Sequence, residues 1–260
     1  MITWTRKQPG SARATRRGLR TLGCATLAAL LLTPASGQAA RPAAAPKVAT
    51  DTPVVTLQSL KSVYAQPVLP GMAVISNLPD QRPLTLVLTT MPIIGHTKDA
   101  AGRDWLQVRL PGREMHEKKP PPTGWITADG TKVSTTPWHV VVSIATRSVH
   151  VYDKGRRVKT FKVVVGKPST PTPRGEFFIE EGLRLPRKHV GYPYALATSA
   201  RSRVFKEFMG GPGQIAFHGI VNIPGSKMGS ATSNGCIRMT TPALMWMAKH
   251  IKAGTPLTVR

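Results

Sequence analysis

From Leu57 to Val259 this 260-residue chain is written in short apolar or alternating runs, and its 23 glycines and 24 prolines mark turns between them. Short runs that alternate every second residue form strands, because successive strand side chains point to opposite faces. Trp138 to Ala145 is apolar-rich, and Ser148 to Tyr152 alternates before a turn at Lys154-Gly155. Lys159 to Gly166 is β-branched and alternating, and Gly175 to Glu180 follows the turn-rich segment Pro168 to Pro173. Tyr194 to Thr198, Gln214 to His218 and Thr255 to Val259 are further strand candidates. One segment alone predicts a helix. Thr241 is placed as its N-cap with Pro242 at the first helical position; Leu244, Met245, Ala248 and Ile251 share one face, and Gly254 follows its end. The chain is expected to be mainly β with one main helix.

The upstream part uses the same grammar on a smaller scale. Leu84 to Leu88 is an apolar run, Asp104 to Leu110 alternates over much of its length, and Gly124 to Ala128 is another strand candidate. Lys118-Lys119-Pro120-Pro121-Pro122 makes a polar, stiff loop between the last two. The order strand, turn, Trp105-x-x-Val108, loop, Gly124-Trp125-Ile126 resembles the bacterial SH3-like barrel, which implies a small barrel over residues 57–134. Thr135-Thr136-Pro137 predicts a domain junction, with a second domain over 137–260. Residues 40–56, rich in Ala, Pro, Thr and Lys, predict a flexible linker.

Residues 1–39 predict a signal peptide and therefore export. Arg6, Lys7, Arg13, Arg16, Arg17 and Arg20 form a basic start with no acid, and Leu22 to Leu32 is apolar but short for a membrane span. Small residues from Pro34 to Ala40 offer a cleavage site, and Thr15-Arg16-Arg17-Gly18-Leu19 resembles a twin-arginine signal. Cleavage would remove six cations and leave about +18 of the formal net charge of +24. In an exported protein such a surface faces anionic wall polymers and lipid, and the membrane is met only in transit. No Lys/Arg run is interleaved with aromatics, so no nucleic-acid groove is expected.

Removing the signal also removes Cys24 and leaves Cys236 as a single thiol. Exported proteins use cysteines mostly in disulfide pairs, so an unpaired one points to chemistry. Cys236 follows Ser233-Asn234-Gly235 and precedes Ile237-Arg238; His218-Gly219 lies eighteen positions upstream. A thiol near its ordinary pKa of about 8.5 is mostly protonated at neutral pH, and a base such as His218 makes it a nucleophile. A third group should orient the imidazole. No Asp or Glu follows Glu207, so a backbone carbonyl or Asn234 would have to serve. Backbone N–H groups at Gly235 and Cys236 are candidates for an oxyanion hole. A metal site on His218 and Cys236, with His150, His189 or His250 as third ligand, lacks any supporting C-x-x-C or H-x-x-x-H spacing. No cofactor is expected.

These residues resemble the L,D-transpeptidase (YkuD-type) catalytic domain. His218-Gly219 followed by Ser233-Asn234-Gly235-Cys236-Ile237-Arg238 is similar to the family's S-x-G-C-[IV]-R motif and its upstream His. Val142 to Ile144 with Val149 to Tyr152 resembles the opening hairpin, and Gly166…Thr172-Pro173-Arg174-Gly175-Glu176-Phe177 resembles the G…T-P-x-G-x-F segment. The resemblance covers residues 138–260 and implies a mixed β-sandwich. It implies peptidoglycan stem peptides as substrate, Cys236 as nucleophile and His218 as base. The product would be a 3→3 cross-link with release of the terminal D-Ala. Asn234 stands where family members often have His. Arg238 would clamp a carboxylate or supply positive field, its alternative being a structural ion pair. Ser233, Gly235 and Gly219 shape the loop more than the chemistry. Residues 182–212, with Arg184, Arg187, Lys188, Tyr192 and Tyr194, are a candidate basic lid. Rival expectations are an L,D-carboxypeptidase or endopeptidase using water as acceptor, and a wall-binding protein with an inert thiol.

Overall fold

In the computed structural model, residues 48–68, 71, 73–115 and 120–260 are described. The signal-peptide segment and Lys118-Lys119 lie outside the described residues. The described residues fall in one compact unit, in which two β modules are packed together through Phe178.

The first module holds β1 (Thr52–Leu57), β2 (Lys61–Tyr64), β3 (Val74–Leu78), β4 (Thr90–Lys98), β5 (Asp104–Arg109), β6 (Thr123–Thr127) and β7 (Thr131–Thr136). They form one seven-stranded sheet in the order β3-β2-β6-β5-β4-β1-β7, with antiparallel neighbours throughout. β1 corrects the expected linker: Val54 and Val55 are buried and paired on both sides, so the sheet takes in residues 52–56. β5 alternates from Leu106 to Arg109, with Leu106 and Val108 in the core, whereas Trp105 is also buried, edge-on to Tyr64. Leu84 to Leu88 is not a strand. Leu84 and Leu86 are exposed on a loop, because an apolar run without alternation does not distinguish strand from loop.

The second module follows after Pro137 alone. Its strands are β8 (Trp138–Ser143), β9 (Ser148–Asp153), β10 (Arg156–Lys162), β11 (Val165–Gly166), β12 (Gly175–Arg184), β13 (Tyr194–Arg201), β14 (Gln214–Gly219), β15 (Ala231–Ser233), β16 (Ile237–Met239) and β17 (Pro256–Val259). Eight of them form a mixed sheet in the order β10-β9-β8-β17-β12-β13-β14-β16, and β11 pairs with β15. The first half of β12 pairs with β17 and the second half with β13, with a register shift between Ile179 and Glu181. A bulge bends a strand. Both halves of the sheet accordingly contribute to one core: Val140, Val142, Leu257 and Val259 from one, Leu196, Ile215, Phe217 and Ile237 from the other.

Helix α1 (Thr241–His250) closes this core. Its N-cap is Thr240, one residue before the expected Thr241, and Pro242 stands in the first turn, where its missing N–H costs nothing. Ala243, Leu244 and Met247 are its buried residues and Ile251 is buried just past its end, whereas Met245 is exposed. The inward face is thus set one residue off the expected stripe.

β12 also joins the modules. Four consecutive residues are buried at its bulge. Phe178 enters the core of the first module with Leu57, Met91 and Val108, while Ile179 enters the core of the second. Glu180 and Glu181 face charged partners between the modules. Glu180 Oε2 accepts from Arg82 Nη2 at 3.0 Å, and Glu181 Oε2 accepts from Thr85 Oγ1 at 2.6 Å. Buried charges persist only when paired, and removing one partner of such a pair costs about 3–5 kcal/mol.

Candidate active site

Strand alternation builds the site. Along β14, Ile215 and Phe217 point into the core, leaving Gln214, Ala216 and His218 on the other face. β16 pairs with β14 in parallel, with Phe217 opposite Ile237 and His218 opposite Arg238. Ile237 and Met239 are buried, so Cys236 and Arg238 share the face that carries His218. The expected residues Cys236, His218, Arg238 and Asn234 line one cavity of about 270 Å³.

The loop before Cys236 is tightly braced. Gly235 has φ +117, a backbone conformation side chains disfavour, and a Cβ there would lie 2.9 Å from Ile215 Cδ1. Ser233, fully buried, accepts from the Gly235 N–H at 3.1 Å and donates to the Cys236 carbonyl at 2.6 Å. The Gly235 N–H is therefore engaged and not aimed at an oxyanion, which corrects that expectation and leaves the Cys236 N–H as candidate. Two threonines complete the brace. Thr170 Oγ1 donates to the Ser233 carbonyl at 3.1 Å, and Thr172 Oγ1 donates to the Gly235 carbonyl at 2.7 Å while accepting from Gly166 N–H at 2.9 Å. Sequence reasoning placed Thr172 in a motif but gave neither threonine a role.

His218 is held by a backbone carbonyl: its Nδ1 donates to Gly219 O at 2.8 Å, which leaves Nε2 unprotonated in the neutral ring. Asn234 is not the orienting group. Gly219 is required for a close approach, since a Cβ there would strike the Tyr192 carbonyl. Burial pushes the imidazole down from 6.5 to about 4, with the Arg238 charge adding to burial and the Gly219 carbonyl opposing. Burial pushes the Cys236 thiol up, against a backbone contact with Ala216 and the Arg238 charge. The Sγ–H points to the Gln214 carbonyl at 3.8 Å. The two groups thus rest as neutral thiol and neutral imidazole.

Arg238 Nη1 donates to Ser226 Oγ at 3.2 Å, and its buried Nε has no partner among the described residues. The guanidinium meets a hydroxyl, and among the described residues no carboxylate pairs with it as a structural ion pair would require. The opposite wall is apolar: Val190, Phe205, Phe208, Met209 and Ile223 line it. This corrects the expected basic lid. Arg184 and Tyr194 pair across β12 and β13, and the basic residues of the segment do not line the cavity.

A family model described as the YkuD L,D-transpeptidase catalytic domain matches residues 137–259. Proteins named L,D-transpeptidase YkuD from Bacillus licheniformis and Bacillus subtilis are each 35% identical over 125 residues, spanning 48% of this chain and 67% of theirs. An L,D-transpeptidase of Enterococcus faecium is 20% identical, with a TM-score of 0.36, over 47% of this chain and 49% of that one. One from Mycobacterium tuberculosis is 15% identical, with a TM-score of 0.39, over 66% of this chain and 90% of that one.

Proposed function

This chain belongs to the L,D-transpeptidase family, and from that premise we propose that it forms 3→3 cross-links in peptidoglycan through an acyl-enzyme on Cys236. The observation that carries the proposal is the pairing of β14 with β16, which sets His218 beside Arg238 and puts Cys236 in the same cavity.

The resting pair is neutral, so the proton moves during attack. As Sγ adds to the carbonyl carbon of the third stem residue, the thiol proton passes to His218 Nε2. The imidazolium that forms is held in place by the Gly219 carbonyl. The oxyanion takes the Cys236 N–H and the positive field of Arg238. Collapse breaks the C–N bond, His218 returns its proton to the departing amine, and D-Ala leaves. A thioester remains. The side-chain amine of a second stem attacks it, loses its proton to His218, and the thiol is restored with one amide exchanged for another. A neutral imidazole at working pH suits a base that acts twice in each cycle. We place the protein outside the cell, at the wall, where its positive surface meets anionic polymers. The first module, read as SH3-like, belongs to that setting.

Incubation with a disaccharide-tetrapeptide, followed by mass spectrometry, tests the proposal. The expected product is a dimer lacking one D-Ala, with a transient adduct on Cys236 that Cys236→Ala abolishes. Free tripeptide without dimer would make water the acceptor. Equal product from wild type and Cys236→Ala would overturn the nucleophile assignment.

A further inference from the structure

The first module reaches the thiol pocket at two places. Arg113 forks onto the loop that forms the apolar wall: Nη1 donates to the Lys206 carbonyl at 2.6 Å and Nη2 to the Phe205 carbonyl at 3.1 Å. That loop is closed at its base, where Ser202 N–H donates to the Gly213 carbonyl at 2.7 Å. Arg201 ties the fork back to β13, its Nε donating to the Arg113 carbonyl at 2.9 Å.

The second reach runs through Glu180. Arg82 and the Gly112 N–H, both from the first module, hold its two carboxylate oxygens at 3.0 Å each. The same Oε2 accepts from Gln214 Nε2 at 2.7 Å, and Gln214 donates again to the Thr198 carbonyl at 3.1 Å. Gln214 is the residue whose own carbonyl receives the Cys236 thiol. One side chain therefore separates the interface between modules from the sulfur.

We propose that the first module is a working part of the catalytic centre: Arg113 sets the pocket wall, and Arg82 with Gly112 sets Glu180 and, through Gln214, the backbone that faces the thiol. These are positioning residues, and none touches substrate. The proposal rests on Cys236 being the nucleophile. A guanidinium has the planar fork needed to hold two carbonyls at once, which an ammonium lacks. Glu180, buried and shared among Arg82, Arg201, Gly112 and Gln214, transmits displacement because a buried carboxylate must keep its donors.

The test uses the full chain with Arg113→Ala, Arg113→Lys and Gln214→Met, each read by three measurements. These are kcat and KM on the tetrapeptide stem, the pH profile of Cys236 alkylation by iodoacetamide, and the rate ratio of a bulky maleimide to iodoacetamide. Arg113→Ala should raise KM and lower kcat/KM about 10- to 100-fold, the scale of a small misplacement of substrate. It should also change the maleimide ratio while leaving the iodoacetamide pH profile in place. Arg113→Lys should recover only part of the loss. Gln214→Met should move the pH profile itself. Wild-type values of all three measurements in Arg113→Ala, or an unmoved pH profile in folded Gln214→Met, would overturn the proposal. Activity loss that merely tracks the unfolded fraction would overturn it as well. If wild type alkylates at Cys236 but never transfers a stem, the transpeptidase reading fails alone, and the two thiol measurements still decide the positioning. If Gln214→Met does not fold, the Arg113 variants decide.

Discussion

The brace behind Cys236 and the apolar wall of its cavity are built to opposite specifications. On one side Ser233, Gly235, Thr170 and Thr172 are locked by hydrogen bonds of 2.6–3.1 Å around the residue that carries the sulfur. Three of them have side-chain oxygens bonded to backbone groups. On the other side Phe208 is 42% exposed and Met209 70% exposed, and the loop they ride on is held by its base and by Arg113. The contrast separates two tasks. Reacting atoms must be fixed within a fraction of an ångström, whereas an apolar wall tolerates adjustment because dispersion contacts are individually weak and non-directional.

The largest effect should come from breaking the fixed side at its base. His218→Ala should slow acylation about 10²–10⁴-fold, and the loss should shrink at high pH, where the thiol ionises unaided. His218→Gln should fold normally and stay slow. Rates equal to wild type at every pH in His218→Ala would remove the imidazole from the mechanism. Next, Thr172→Val strips the brace without changing shape. It leaves the Gly235 carbonyl and the Gly166 N–H unpaired in the interior, so denaturant unfolding should show a loss of about 2–4 kcal/mol. A stable Thr172→Val enzyme with full rate would mean that the brace is dispensable.

A smaller effect comes from protons. His218 titrates at about 4 in the fold, below its ordinary 6.5. As pH falls the unfolded chain binds the proton first, so the stability from a neutral His218 is complete above pH 6.5 and is lost progressively toward about 4. The melting temperature of wild type should therefore fall faster across that window than that of His218→Gln. The acid limb of kcat/KM should likewise lie nearer pH 4 than 6.5. An acid limb at the ordinary histidine value would contradict the buried neutral ring. The smallest effect belongs to the adjustable side: Phe208→Ala should raise KM less than about tenfold, the worth of one partly buried ring, with kcat and melting temperature unchanged. A kcat loss as large as that of His218→Ala would erase the distinction between the fixed and the adjustable side.

Which residues gather around the Cys236 cavity was legible in the sequence more fully than the joinery between the modules. Cys236, His218 and the strand that carries His218 follow from residue types, spacing and alternation, and so does the absence of an acid to orient the ring. The module interface does not. Arg82 and Glu180 are 98 positions apart, and nothing local distinguishes a charge that will be buried and paired from one that will face water. The apolar run at Leu84 to Leu88 misled for a related reason: Thr85 in that loop is placed by Glu181, not by any strand period. Val54 and Val55 were hidden by the Pro and Thr around them, which read as linker until a neighbouring strand supplies their partners. Thr172 is visible as a letter of a motif and Thr170 only as part of a turn-rich segment, and the work of both depends on carbonyls 63 residues away.

The position of β17 carries a consequence in time. The strand lies between β8 and β12, near the middle of the eight-stranded sheet, yet it is the last of the described strands to leave the ribosome. β8 and the first half of β12 have no direct partnership with each other; each waits for residues 256–259. The core that seats the thiol can close only once residues 256–259 have joined it, so until then the nascent chain carries an immature site. Pairings across such long separations also form slowly. The four residues of β17 thus act as a latch: the half of the sheet that carries His218 is joined to the other half only as this strand docks.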